Sequence, residues 1–440
     1  MTSVVRRRIP LILALAAAMF ATPVVAQDEP PTDAPATALR IALDRALGEH
    51  AFLLGEVIRS GIADAPDFTA AADTLDANSG DVIGAITEVY GAEAGEAFGE
   101  QWRNHVAYIV DYGRALGDGD EDAAQLAAEQ LDRYVTDFSG FLADALPALP
   151  RDAVEGLIGE HVQQLEHVAS FDEQDFGGAY GAIRETYAHM FAVGDGLAIG
   201  IVSLYPDRFT GREAAFSPAT DLRVTLDRLL GEHSYLAALA MRAVLRDAAD
   251  VPSAAEALAA NSDELRDTIE LIYGTAAGDA FAELWSIHVD AYVAYVTAIA
   301  ADDAAAADLA IDELAEYQAD FSAYVAEANP FLSGEAFEML IATHTDHLVA
   351  QADAYATGDY AASYEVGREA YAHTGELSAS LAGAIADQFP MRFPDAALPP
   401  PLPPVASVGA GLLAAGLALG VVQAVRRRPR LSATSRATGA

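Results

Sequence analysis

The sequence predicts an all-α protein: two homologous tandem six-helix bundles, preceded by an N-terminal signal peptide and followed by a C-terminal single transmembrane helix. Three observations predict it. Eight of the ten histidines form four matched pairs. His50 and His233, His105 and His288, and His161 and His344 lie 183 positions apart, and His189 and His373 lie 184 apart. Apolar residues recur at helical spacing throughout, with no stretch that alternates as a half-buried strand would. Finally, both ends of the chain carry address-like segments that the repeats lack.

Whole phrases repeat along with the histidines. Leu43-Asp44-Arg45 with Gly48-Glu49-His50 returns as Leu226-Asp227-Arg228 with Gly231-Glu232-His233. Trp102 and His105 return as Trp285 and His288, Tyr187-Ala188-His189 as Tyr371-Ala372-His373, and Pro206, Arg208 and Phe209 as Pro390, Arg392 and Phe393. A chain of 440 residues would suggest about three domains from length, but the repeat step sets two, 38–209 and 221–393, each large enough for its own core.

At the N-terminus, Arg6-Arg7-Arg8, an apolar run from Ile9 to Phe20 and the small residues before Gln27 read as a signal peptide over 1–26. An acidic, proline-containing linker follows over 27–37. Within repeat one, Leu43, Leu47, His50, Leu54 and Val57 step by helical intervals, as do Phe98, Trp102, His105 and Ile109, so both histidines fall on apolar faces. Breakers at Ala65-Pro66, Tyr90-Gly91, Gly117-Asp118-Gly119, Leu146 to Pro150 and Phe171 to Gln174 predict six helices over 38–60, 67–90, 92–117, 120–145, 151–170 and 175–205. Residues 210–220 read as the linker to repeat two, where Val251-Pro252, Tyr273-Gly274, Asn329-Pro330 and Gly358-Asp359 repeat the punctuation.

Beyond repeat two, 394–404 reads as a stiff proline-rich spacer and Val405 to Val425 as a membrane span. Its uncharged length matches one hydrocarbon thickness of about 30 Å. The arginines that follow in 426–440 place that tail in the cytoplasm and the repeats on the extracytoplasmic side, with the membrane as partner through the C-terminal helix.

Composition narrows the chemistry. There is no cysteine, so neither disulfides nor thiolate metal sites contribute. The formal charge is −41 and every basic residue is arginine, which argues against nucleic acid as a partner. The spacing Asp118, Asp120, Asp122 and Glu129 imitates a calcium loop, but Ala123 stands where the sharp turn needs glycine, so the segment reads as the acidic start of a helix. Motifs of hydrolases, phosphate loops and dinucleotide sites are absent, and no enzymatic activity is expected.

The histidines carry the functional expectation. His50, His105, His161 and His189 each fall near the middle of a predicted helix, and packed helices of similar length share a midplane, so the four rings are expected to form one layer. Glu185 and Glu369 lie four residues before His189 and His373, within reach as ligands or partners. The recurring Asn78 and Asn261 add polarity to the same centre. Two readings stand side by side. In one, His50, His105, His161, His189 and Glu185, and again His233, His288, His344, His373 and Glu369, bind one copper, zinc or iron ion, or a haem, per repeat. In the other, the layer is a buried polar network in a cell-surface scaffold. His167 and His347 have no counterparts, Ala350 and Gln164 standing opposite them, and His344 with His347 offers an accessory metal pair in repeat two.

The phrases Leu43 to His50, Trp102 with His105, Tyr187 to His189 and the Pro-x-Arg-Phe repeat ends resemble a family of secreted bacterial tandem helical-repeat proteins. The resemblance spans 39–393 and implies an extracytoplasmic all-α repeat. Some members carry the label "copper amine oxidase", but this chain has no Asn-Tyr pair from which the quinone cofactor of that enzyme forms.

Overall fold

A computed structural model describes residues 34–171 and 174–395. Among them there are thirteen α-helices and no strand. The first six are α1 (Pro35–Ile62), α2 (Phe68–Tyr90), α3 (Ala92–Asp118), α4 (Glu121–Ala145), α5 (Arg151–Val168) and α6 (Phe176–Leu204). After a four-residue helix, α7 (Arg212–Ala215), come α8 (Pro218–Leu245), α9 (Val251–Tyr273), α10 (Thr275–Ala300), α11 (Ala304–Ala328), α12 (Gly334–Ala356) and α13 (Tyr360–Gln388). The expected signal peptide, spacer and membrane span fall outside the described residues.

Local chemistry explains where these helices stop and start. Gly91 and Gly274, with φ of 90° and 93°, end one helix and begin the next, a conformation that costs glycine nothing. Asp120, Asp175, Ser217, Asp303, Ser333 and Asp359 cap their helices by accepting a backbone N–H. Asp120 therefore spends its carboxylate on a cap, as expected for an acidic helix start. Two boundaries differ from expectation. Helix α1 begins at Pro35 and α8 at Pro218, inside the segments read as linkers, because proline is well suited to a first helical turn whose N–H would have no partner. The end of α5 tightens into a 3-10 turn over Ala169–Phe171.

Packing in the two sets of long helices follows one scheme. In the first, α1 runs against α2, α3 and α6, while α3, α4, α5 and α6 pack in sequence; in the second, α8 runs against α9, α10 and α13, with α10 to α13 in sequence. The sets meet where α6 packs on α9, α13 on α2, and α1 on α8. The central helices α1 and α8 are buried on every side through their middles, Leu47 to Ser60 and Leu229 to Ala243, which is why their sequences lose any polar face there.

Among the described residues one helix, α6, is long and apolar enough to cross a membrane. Its most apolar window is 56% buried inside the bundle, where it lies along α1.

Candidate metal centre

The middle of α1 carries His50, flanked on α3 by His105 and on α5 by His161, all at most 4% exposed. Nε2 of His50 faces Nε2 of His105 at 3.1 Å, and the His161 ring lies 6.0 Å from that of His50. The second set repeats this arrangement: Nε2 of His233 faces Nε2 of His288 at 3.3 Å, with the His344 ring at 6.0 Å and 6.4 Å from the two. In this cluster one nitrogen from each of the three rings lies within 4.8 Å of the others.

Aromatic walls hold the rings in place. Trp102 packs between His50 and His105 at 4.5 Å and 4.7 Å, and Tyr134 stacks on His105 at 4.7 Å. Trp285 and Tyr317 do the same for His233 and His288. Tyr134 and Tyr317 escaped the sequence reading, although their separation of 183 was a signal that could have found them.

The facing rings have polar neighbours on their other sides. Asn78 donates both amide hydrogens, to the Ala46 carbonyl at 3.1 Å and to Glu49 at 2.8 Å, so only its Oδ1 is left to face His50. Asn78 neighbours the His50 ring, but neither its Oδ1 nor Nδ1 of His50 has a hydrogen-bond partner. On α3 the Trp102 carbonyl lies near the His105 ring, again as an acceptor only. Asn261, bonded to the Leu229 carbonyl and Glu232, neighbours His233 in the same way, and the Trp285 carbonyl lies near the His288 ring. None of the four Nδ1 atoms, in His50, His105, His233 and His288, has a hydrogen-bond partner among the described residues, so the facing Nε2 atoms join either through one shared proton or through a bound cation.

A cation between the two facing nitrogens engages both lone pairs. Nitrogens bound to one ion at about 2.0–2.1 Å and at a tetrahedral angle are about 3.3 Å apart, which is the spacing seen here. Burial holds His105 and His288 down to about 3, and burial with the neighbouring imidazoles holds His50 and His161 well below their ordinary value. His233 and His344 are depressed for the same reasons. All six rings are therefore neutral near pH 7, the form that ligates metal.

A haem does not fit the second cluster. The cavity in the second cluster is about 40 Å³, walled by Leu230, Phe281, Trp285 and Phe321, whereas organic ligands occupy several hundred Å³. An ion with one further small ligand does fit.

The fourth histidine stands apart from the layer expected of it. Nε2 of His189 donates to the Leu157 carbonyl at 2.9 Å, and Nε2 of His373 to the Leu340 carbonyl at 2.8 Å. Their carboxylate neighbours are Glu160 at 3.8 Å and Glu376 at 3.3 Å, while Glu185 and Glu369 point outward on exposed positions. The spacing of four was compatible with contact, but α6 and α13 turn those glutamates to solvent so that Thr186, Tyr187, Ala370 and Tyr371 can be buried. His347 sits half-buried with its ring 5.5 Å from His373, on the outer side of the second cluster.

The clusters are not identical: among the described residues the three ring nitrogens lie within 4.8 Å of one another only in the second, and the third histidine has different surroundings in the two. Nδ1 of His161 is 3.0 Å from Oγ1 of Thr186, but repeat two has Ala370 there, and Nδ1 of His344 has no close partner. Because Thr186 does not recur, no repeat comparison could single it out. Compared with known proteins, the chain matches no family model, no curated protein and no solved structure.

Proposed function

We propose that the protein is two copies of one six-helix unit, and that each copy binds one transition metal ion through three histidines, His50, His105 and His161 in the first and His233, His288 and His344 in the second. The observation that carries this reading is the pair of facing Nε2 atoms, at 3.1 Å and 3.3 Å, buried at the middle of each helix set beside a third histidine. A neutral three-imidazole set suits zinc, copper or iron and leaves one coordination position for water or another small ligand. We extend the reading to location: cleavage near Ala26, anchoring through Val405–Val425 and both copies on the extracytoplasmic side, in keeping with the resemblance to secreted helical-repeat proteins.

Metal analysis of the full-length protein, purified in detergent and dialysed against each ion, tests the binding. Two equivalents of one ion per chain are expected, falling to one with either His105→Ala or His288→Ala. Absence of any bound ion under these conditions would leave the second reading, a rigid surface scaffold whose histidines form a polar network. Protease added to intact cells or spheroplasts tests the location and should remove both copies.

A further inference from the structure

Glu49 and Glu232 each precede a cluster histidine and are only 6% and 1% exposed. Glu49 accepts from Asn78 at 2.8 Å, and its other partners come from the second helix set: Tyr235 at 3.0 Å, and Nε and Nη2 of Arg368 at 3.0 Å and 2.8 Å. Glu232 accepts from Asn261 at 2.8 Å and, from the first set, from Nε and Nη2 of Arg184 at 3.0 Å and 3.2 Å. Each arginine also reaches a carboxylate near the asparagine it supports, Asp81 at 2.7 Å for Arg368 and Glu264 at 2.8 Å for Arg184. Two crossed chains of hydrogen bonds result, Arg368 to Glu49 to Asn78 and Arg184 to Glu232 to Asn261, and each ends at an asparagine that neighbours His50 or His233.

We propose that Arg368 and Arg184 are positioning residues for the metal centre of the opposite helix set. This rests on the metal-binding reading above. The forked guanidinium fixes the carboxylate, and the carboxylate fixes which end of the asparagine amide faces the histidine. With the oxygen end facing, Nδ1 of the histidine keeps its proton and Nε2 is free to ligate. Without its arginine the nearly buried carboxylate loses its forked partner, so it reorients and releases the amide. If the amide turns, its NH2 faces Nδ1, the imidazole proton moves to Nε2, and the ligating lone pair is lost. Partners of this kind typically change metal affinity by about 10- to 100-fold.

Co2+ titration of the full chain, read by the visible bands of the bound ion, tests this. Each centre is read alone, the first in a His288→Ala background and the second in a His105→Ala background. Arg368→Gln is expected to weaken Co2+ at the first centre by about 10- to 100-fold and leave the second unchanged, and Arg184→Gln to do the reverse. Equal loss at both centres, or loss at the centre of the arginine's own helix set, would overturn the proposal. Should either glutamine variant unfold, Asp81→Asn and Glu264→Gln, which loosen the same arginines from partly exposed positions, are expected to give the same crossed pattern at smaller size, and no crossed pattern there also overturns it. If the unsubstituted chain takes up no Co2+ and no other transition ion, the metal reading itself fails and this inference falls with it.

Discussion

Nε2 of His233 and Nε2 of His288 face each other at 3.3 Å, and Nδ1 of neither ring has a hydrogen-bond partner. Two neutral rings join there by one hydrogen bond only if one of them carries its proton on Nε2. A bound cation engages both Nε2 lone pairs at once. Metal uptake is therefore expected to raise the thermal midpoint, and by less in His105→Ala and His288→Ala than in the unsubstituted protein. Calorimetric scans with and without ion decide it, and a midpoint indifferent to ion would count against the centre.

Metal-free protein should weaken in mild acid. The six cluster histidines have folded-state pKa values below their unfolded value, His105 and His288 at about 3. The unfolded chain then takes up protons first. Stability is full above about pH 6.5 and falls below it by about 1.4 kcal/mol per pH unit for each histidine, until the folded rings also protonate. Glu56 adds to the loss at lower pH: burial alone would raise it, but Arg59 and Arg242 hold it at about 2, so its contribution, complete above 4.5, disappears between 4.5 and 2. Urea midpoints measured from about pH 8 to 4 should be level at first and then decline, and a level curve throughout would contradict the assignment.

Thr186 and Ala370 offer a direct exchange between the two centres. Removing the hydroxyl with Thr186→Ala takes away a contact of His161 and is expected to cost about 1 kcal/mol. It should also move the Co2+ spectrum of the first centre toward that of the second. Ala370→Thr should shift the second centre the opposite way, and spectra unmoved by either change would show that Thr186 does not orient the ligand.

Glu56 anchors the contact between the helix sets. Only 1% exposed, it accepts hydrogen bonds from Arg59 at 2.8 Å, Tyr364 at 2.9 Å and Arg242, whose guanidinium lies over the Tyr364 ring at 3.9 Å. Glu56→Ala leaves two buried guanidiniums short of a counter-charge and is expected to destabilise the protein by about 3–5 kcal/mol, read from denaturant unfolding.

Gly117 lets α1 and α3 cross closely. A Cβ there would collide with the Gly61 carbonyl oxygen, a backbone atom that cannot swing aside. Gly117→Ala is therefore expected to cost about 1–3 kcal/mol despite alanine's better helix propensity, whereas an unchanged unfolding midpoint would show that the helices can separate freely. The equivalent positions in the second set, Val244 for Gly61 and Ala300 for Gly117, carry side chains, so the two crossings cannot be identical.

Much was legible from sequence because it depends on neighbours along the chain. Helical spacing, Gly91 and Gly274 as stops, and Asp120 as a cap are local effects, and they set the all-α class and most helix limits before any contact is known. A separation of 183 residues likewise matched His50 with His233 and Asn78 with Asn261 by counting alone. Which side chains meet was decided by the rotation of each helix about its own axis, and that is fixed by packing across the bundle. A rotation that buries Tyr187 and Tyr371 carries Glu185 and Glu369 out to solvent and leaves His189 and His373 bonded to the carbonyls of Leu157 and Leu340, so an expected layer of four becomes a cluster of three. The crossed pairs Arg368–Glu49 and Arg184–Glu232 join residues 319 and 48 positions apart. No periodicity along one chain links such residues, and only the docking of the two helix sets brings them together.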